Sequence, residues 1–300
     1  MRALVTGGVG FVGTNLCERL LKDGHQVVSF DNYTTGDRKN ELDGVKYLKI
    51  DIRDGIKDGA FFDKIQHAWV HTKEFDVIFH MAALPRIGPS FSNPKEVCDV
   101  NVSGTQNILE YAKSHDIPVV YAGSSSFWGG VYKNPYTFSK WQGEELCKMY
   151  EQIYGLNITI CRFYNVYGDF MPTEGEYRTA LPIFLEQYKK GEPLTITGDG
   201  EQRRDFTHVD DIVDAMMKVV QLNKWGSVYE LGRGENYSIN EVVEMFLSNG
   251  DFSGLSYKDP IYIDSIPGET RNTLCKSELA RKKLKWDPII NLNEWLKEQL

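Results

Sequence analysis

The amino-acid sequence predicts an α/β protein: a doubly wound parallel sheet followed by a smaller C-terminal α/β unit. Two observations carry this. Short apolar runs alternate with amphipathic stretches through the first half, and the first run passes through a cluster of glycines straight into a helical pattern. The length of 300 residues agrees, being more than one small domain and less than two large ones at about 150 residues each.

Arg2–Thr6 reads as a buried strand and Val12–Asp23 as a helix ended by Gly24. Further strands are expected at Gln26–Phe30, Val45–Ile50, Val77–His80 and Val119–Ala122, with a helix over Glu96–His115 between the last two. A helix over Tyr136–Tyr154 precedes a strand at Thr159–Arg162. Strands separated by helices in this way pair in parallel, which buries both faces of the sheet. After Gly168 the pattern is broken by Gly, Pro and charged residues at Asp169–Glu176, Gly191–Pro193 and Gly198–Arg204. A helix over Asp210–Leu222 and a strand at Val228–Leu231 are expected to return to the main sheet, and helices at Ile239–Phe246 and Lys276–Leu284 to form a cap. The expected division is residues 1–168 with 205–232 in one unit, and 169–204 with 233–300 in the other.

The composition, 41% hydrophobic and 25% charged, is that of a globular chain with a sizeable core. A net charge of −8 with no Lys/Arg run argues against a general nucleic-acid or anionic-membrane role. A local anion pocket is still open, because a few arginines suffice for a diphosphate. The five cysteines (Cys17, Cys98, Cys147, Cys161, Cys275) are scattered without metal-ligand spacing and read as free thiols of a reducing compartment, so no metal is expected. No stretch approaches the roughly 20 apolar residues that cross a bilayer, and the opening MRALVTGG reads as a strand rather than a signal peptide. The cytoplasm is the expected location.

The first chemical motif is Thr6-Gly7-Gly8-Val9-Gly10-Phe11-Val12-Gly13, in strand–turn–helix context. Two glycine registers overlap here, Gly7/Gly10/Gly13 and Gly8/Gly10/Gly13; either leaves room for a pyrophosphate to reach the N-terminus of the helix that Phe11 and Val12 lead into. Asp31 ends the second strand 18 residues after Gly13, where a carboxylate accepts from adenosine ribose hydroxyls and repels the 2′-phosphate of NADP. The fingerprint is of the Rossmann type and favours NAD.

The second motif is Tyr136-Thr137-Phe138-Ser139-Lys140, which puts tyrosine and lysine on one helix face. A phenol with a pKa near 10 is a poor base at neutral pH, and an ammonium one turn away would favour its ionised form. Strand Val119–Ala122 ends in Gly123-Ser124-Ser125-Ser126, offering a hydroxyl to the same reacting oxygen. His80 and His208 read as structural. Trp128 and Tyr132, beside Tyr136, suit either packing or sugar contact.

Nearly end to end, the segments TGGVGFVG, DNYTTG, DIRD, HMAA, NVSGT, SSSFWGG, YTFSK, RFYNVYG, GDGEQRRDFTHVDD and PGETRNT resemble those of extended short-chain dehydrogenases/reductases of the NAD-dependent epimerase/dehydratase family. The resemblance implies that Gly7, Gly10 and Gly13 cradle the pyrophosphate, that Asp31 and Asn32 hold the ribose, and that Asp51 and Ile52 bracket the adenine. It implies Ala82, Ala83 and Asn101 along the cofactor channel, Lys140 on the nicotinamide ribose, Tyr136 as acid/base and Ser124 as its hydroxyl partner. For the substrate it implies Ser124, Ser125, Tyr136, Asn165 and Arg204, the last two on a nucleotide diphosphate. Members of this build often dimerise through two helices in a four-helix bundle, here Val102–His115 and Tyr136–Tyr154.

Within such a family the reaction depends on extra groups. Dehydratases carry Asp-Glu directly after the catalytic hydroxyl, and decarboxylases a Glu at the second of those positions; this chain has Ser125 and Ser126. A net reductase commonly prefers NADPH, which Asp31 opposes. The resemblance therefore points to 4-epimerisation of a nucleotide-linked sugar, UDP first and GDP or dTDP as alternatives. A dehydratase, a decarboxylase, a 3,5-epimerase, or a non-catalytic NAD-binding sensor are the competing readings. The sequence departs from the family pattern in two places. Only eleven residues separate Ser124 from Tyr136, a shorter loop than the family has, and Ile266 stands where it has an arginine, so that Arg271 is the expected substitute. Thr273 falls where some members carry a bulky aromatic, which leaves room for an N-acetyl group.

Overall fold

The structure, a computed structural model, describes residues 1–54, 75–250 and 258–300. Seven strands, β1 (Arg2–Thr6), β2 (Gln26–Asp31), β3 (Val45–Lys49), β4 (Val77–His80), β5 (Val119–Ser124), β6 (Ile158–Phe163) and β7 (Val228–Leu231), form one sheet in the order β7-β6-β5-β4-β1-β2-β3. Every pairing in it is parallel. The strand order reverses at β1, so the crevice beyond the carboxyl ends of β1 and β4 is where an open sheet of this kind takes a ligand.

Helices cover both faces. Helix α1 (Phe11–Lys22) lies on one face, α2 (Thr105–His115) and α3 (Pro135–Tyr154) on the other, and α4 (Val209–Gln221) beside α1. Alternate residues of a strand feed opposite cores: Leu4 packs with Phe30, Ile78, Leu109 and Tyr121, whereas Ala3 and Val5 pack with Leu16, Phe79, Ile212 and Met216. Each such side chain, fully buried, contributes roughly 1.5–3 kcal/mol. A third core of Leu181, Phe184, Ile196, Val242, Phe246, Trp295 and Leu296 gathers around the helices Ala180–Lys190, Ile239–Asn249 and Leu292–Gln299.

Two differences from the sequence reading have physical causes. The expected helix Glu96–His115 is three successive segments, Pro94–Cys98, a π-helical Asp99–Gly104, and α2. Wide turns of this sort often lie at functional sites. Here the Thr105 hydroxyl donates to the Asn101 carbonyl at 2.7 Å, and Gly104 sits so close to Ile52 that a Cβ would come within 2.6 Å of its Cδ1. Helices Ala180–Lys190 and Leu292–Gln299 are absent from the sequence reading: the first carries Pro182 in its first turn, and the second is only eight residues long with Glu294, Lys297 and Glu298. Among the described residues, no helix is long and apolar enough to cross a membrane.

Candidate active site

The crevice at the switch point is a cavity running from the glycine turn to α3. Of the residues expected at the cofactor, Gly7, Gly10, Phe11, Val12, Gly13, Asp31, Asn32, Ile52, Ala82, Ala83 and Lys140 line it, and Tyr136 closes its far end. The glycines are required by geometry. Gly7 adopts φ +74°, and a Cβ at Gly13 would stand 2.0 Å from the Gly7 carbonyl oxygen. A side chain at either place would force the turn open and fill the space at the N-terminus of α1, so the cradle fits a dinucleotide pyrophosphate. The Asp31 carboxylate accepts from the backbone N–H of Val9 at 3.1 Å and of Tyr33 at 2.8 Å. Burial pushes its pKa up against those bonds, and it retains lone pairs for ribose hydroxyls.

Two of the expected cofactor residues work at one remove. Asp51 accepts from Asn32 at 2.8 Å and pairs with Arg53 at 2.7 Å, which holds its carboxyl down at about 2 despite partial burial. Asn101 is buried; its amide oxygen accepts from Leu84 N–H at 2.8 Å, and its amide nitrogen donates to the Leu84 carbonyl and to the Ser139 hydroxyl at 2.9 Å. It ties the cavity wall to α3 rather than facing the cavity.

At the far end, Asn134 caps α3 by accepting from Thr137 N–H at 2.8 Å. This sets the first turn so that the Tyr136 hydroxyl reaches the Ser124 hydroxyl at 3.4 Å. Ser124 also donates to Ser126 at 2.9 Å. Burial pushes the Tyr136 phenol up, Glu144 adding to the rise, while the Ser124 hydrogen bond and the charge of Arg86 pull it down. Sequence reasoning gave that charge to Lys140. The structure places the Lys140 ammonium over the Tyr121 ring, 4.3 Å from its centroid, where burial lowers its pKa to about 8 against the opposing charge of Glu144. Arg86 was missed because its segment carries no periodic signal; its φ of +86° departs from anything its residue type suggests.

The loop after Ser124 rests on a buried ionic cluster. Arg162 on β6 binds Glu144 of α3 at 2.6 Å and Glu230 of β7 at 3.3 Å. Its guanidinium stacks on Phe127, 3.8 Å from the ring centroid, and Trp128 donates to Glu230 at 2.7 Å. The opposite side of the loop meets the segment after Ile266: a Cβ at Gly129 would lie 2.1 Å from the Thr270 hydroxyl. The short Ser124–Tyr136 connection is thus held between β6 and this segment. Tyr132 is exposed and packs with Phe138 and Trp141.

Of the expected substrate residues Tyr136 lines the cavity, whereas Ser125, Asn165, Arg204, Arg271 and Thr273 are not among its lining. Asn165 donates to Thr273 at 2.9 Å and to the Asp205 carbonyl at 3.1 Å. Arg204 is paired with Glu269 at 2.5 Å and with the Arg203 carbonyl at 2.9 Å. Arg271, expected to replace the missing arginine, is exposed and forked onto Asp199 at 2.7 and 2.8 Å. Ser125 is buried under the loop. His80 bridges the Thr6 and Thr105 hydroxyls at 2.7 and 3.0 Å, and His208 caps α4.

The family model of the NAD dependent epimerase/dehydratase family matches residues 3–232. The UDP-glucuronate 4-epimerase of Thermodesulfobacterium geofontis is 30% identical over 98% of this chain and 93% of its own length. The UDP-N-acetyl-alpha-D-glucosaminuronate decarboxylase of Bacillus cytotoxicus is 31% identical over 81% of this chain and 78% of its own. Among solved structures, UDP-glucose 4-epimerase with UDP-glucose from Thermotoga maritima superposes with a TM-score of 0.89 at 26% identity, covering 99% of this chain and 96% of that one. The chain belongs to the NAD-dependent epimerase/dehydratase family.

Proposed function

We propose that this chain is a nucleotide-sugar 4-epimerase that uses NAD and acts on UDP-linked hexoses or N-acetylhexosamines. The observation that carries this reading is the scarcity of acids at the reacting end: among the described residues, the carboxylates lining the cavity are Asp31 and Glu96. Asp31 belongs to the ribose end, and Glu96 faces Arg53 at 3.7 Å. Glu144, whose charge disfavours the Tyr136 phenolate, is locked onto Arg162. A dehydratase or decarboxylase needs a further acid or base there. An epimerase needs only a group that removes and returns one proton at O4.

When bound, NAD supplies a hydride acceptor beside the sugar carbon. Tyr136 then takes the O4 proton, and Ser124 donates to the same oxygen and holds it at the reacting distance. Lys140 anchors the ribose. The carbonyl formed at C4 is reached from its other face after the sugar turns, and Tyr136 returns the proton, so that no residue ends the cycle changed. Asn165, Arg204 and Arg271 are assigned to the sugar-nucleotide side. Arg204 must exchange Glu269 for a phosphate to serve there, and Thr273 acts through Asn165.

We take residues 1–168 with 205–232 as the coenzyme unit, and 169–204 with 233–300 as the sugar-nucleotide unit. The enzyme is read as a cytoplasmic homodimer. Five free cysteines agree with a reducing compartment. Leu109 and Ala112 are fully buried within the monomer, so a dimer through α2 and α3 rests on other residues, Ile153 and Tyr154 among them. The test of activity is incubation of the purified protein, without added coenzyme, with UDP-linked glucose, galactose, N-acetylglucosamine, N-acetylgalactosamine and glucuronic acid, followed by proton NMR. Interconversion of C4 epimers without keto product is expected; a stable keto sugar or release of carbon dioxide would overturn the reading.

A further inference from the structure

Lys140 is buried and lines the cavity, where an ammonium without compensation is costly. An ordinary partner stands one helical turn on, at i+4 of α3: Glu144. Arg162 takes that carboxylate at 2.6 Å, and among the described residues no carboxylate forms an ion pair with Lys140. What faces the ammonium is an aromatic ring. Its Nζ stands 4.3 Å from the ring centroid of Tyr121, a fully buried residue of β5. The ring lies there because α3 leaves room for it. A Cβ at Gly143, three residues beyond Lys140, would come within 2.2 Å of the Tyr121 hydroxyl and 2.9 Å of its Cζ. His80 of β4 packs on the ring with centroids 5.7 Å apart, and Asn101 fastens the same turn of α3 by donating to Ser139 at 2.9 Å.

A ring and a carboxylate differ as partners for a lysine that must hold a ligand. A carboxylate would accept the ammonium's hydrogens and set a negative charge one turn from Tyr136, which disfavours the phenolate. A ring face attracts the same cation through its quadrupole and leaves donors for a ligand. We infer that Tyr121 is a positioning residue for Lys140: its ring holds the ammonium at the cavity wall with donors free for the hydroxyls of the nicotinamide ribose. Tyr121 itself is not among the residues lining the cavity, so it acts through Lys140. The inference rests on the reading that Lys140 anchors that ribose.

Calorimetric titration of the full chain, freed of coenzyme, with NAD tests this through a double-mutant cycle of Tyr121→Leu and Lys140→Met. Tyr121→Leu is expected to weaken NAD binding by about 5–30-fold, the span of a cation–π contact out of water, and Lys140→Met by at least as much. The double mutant should bind NAD no more weakly than Lys140→Met alone. Tyr121→Phe keeps the ring and should keep wild-type affinity. ADP, which has no nicotinamide ribose, should bind all of these proteins alike. Losses that add up in the double mutant overturn the inference. So does a Tyr121→Leu protein that loses ADP affinity, because the ring would then only support the sheet. Lys140→Met with unchanged NAD affinity overturns the ribose reading and the inference together. If Tyr121→Leu does not fold, a trifluorinated phenylalanine at Tyr121, with the ring's shape but a depleted face, is compared with Tyr121→Phe: weaker NAD binding supports the inference and equal affinities overturn it. Coupling in a protein that epimerises no sugar overturns 4-epimerisation alone and leaves Tyr121 beneath Lys140.

Discussion

The group proposed to react, Tyr136, is a partly buried phenol with three neighbours of opposing effect on its ionisation. Ser124 and Arg86 favour the phenolate; burial and Glu144 disfavour it. Tyr136→Phe is expected to lower turnover by more than about 100-fold, in line with loss of a general acid/base, while bound NAD, read by its absorbance after reduction, stays unchanged. Persistent turnover would mean that another group moves the proton. At the coenzyme end, Asp31→Ser should relax the preference for NAD over NADP, measured as the ratio of their dissociation constants, because the carboxylate that repels a 2′-phosphate is gone. Gly7 and Gly13 were legible because backbone sterics dictates their residue type, Tyr136 and Lys140 because helical spacing puts them on one face, and Asp31 and Ser124 by ending strands of the sheet. Arg86 was not, because a lone arginine in an irregular segment carries no signal until the chain is folded around it.

Elements are held in register by two buried polar assemblies. His80 of β4 spans Thr6 of β1 and Thr105 of α2, and burial lowers its pKa to about 3. The folded state therefore binds a proton less readily than the unfolded chain, so its contribution is complete above the ordinary histidine pKa and is lost as pH falls toward 3. Stability should decline by up to about 1.4 kcal/mol per pH unit across that window, and His80→Asn should flatten the decline in pH-dependent denaturant unfolding. The second assembly is Arg162 with Glu144 and Glu230. Arg162→Met leaves two carboxylates buried without their cation and should cost about 3–5 kcal/mol in the same measurement, with the Ser124 loop loosened as well. The seven strands of the main sheet were legible to within a residue or two, since apolar runs bounded by turns have few other readings; the two- and three-residue strands after Tyr164 were not, being too short to carry a pattern. The π-helical Asp99–Gly104 was not, because its close approach to Ile52 joins residues distant in sequence.

The whole molecule joins a sheet built for a dinucleotide to a C-terminal region whose polar residues are at present paired with one another. Arg204 pairs with Glu269 and Arg271 with Asp199: local sequence fixes a glycine turn, but not which acid an arginine meets once the chain is folded. Sedimentation should give a dimer, and Ile153→Glu, on the exposed side of α3, should give a monomer; a dimer unaffected by that change would place the interface elsewhere.

The most direct measurement is proton NMR of a UDP-sugar incubated with the enzyme in deuterated water, without added coenzyme, observing the hydrogen on C4 of the product. Hydride that leaves and returns within one closed site carries no solvent label, so the C4 epimer should form with protium at C4. Deuterium at C4, or a keto sugar in place of the epimer, would contradict 4-epimerisation at Tyr136.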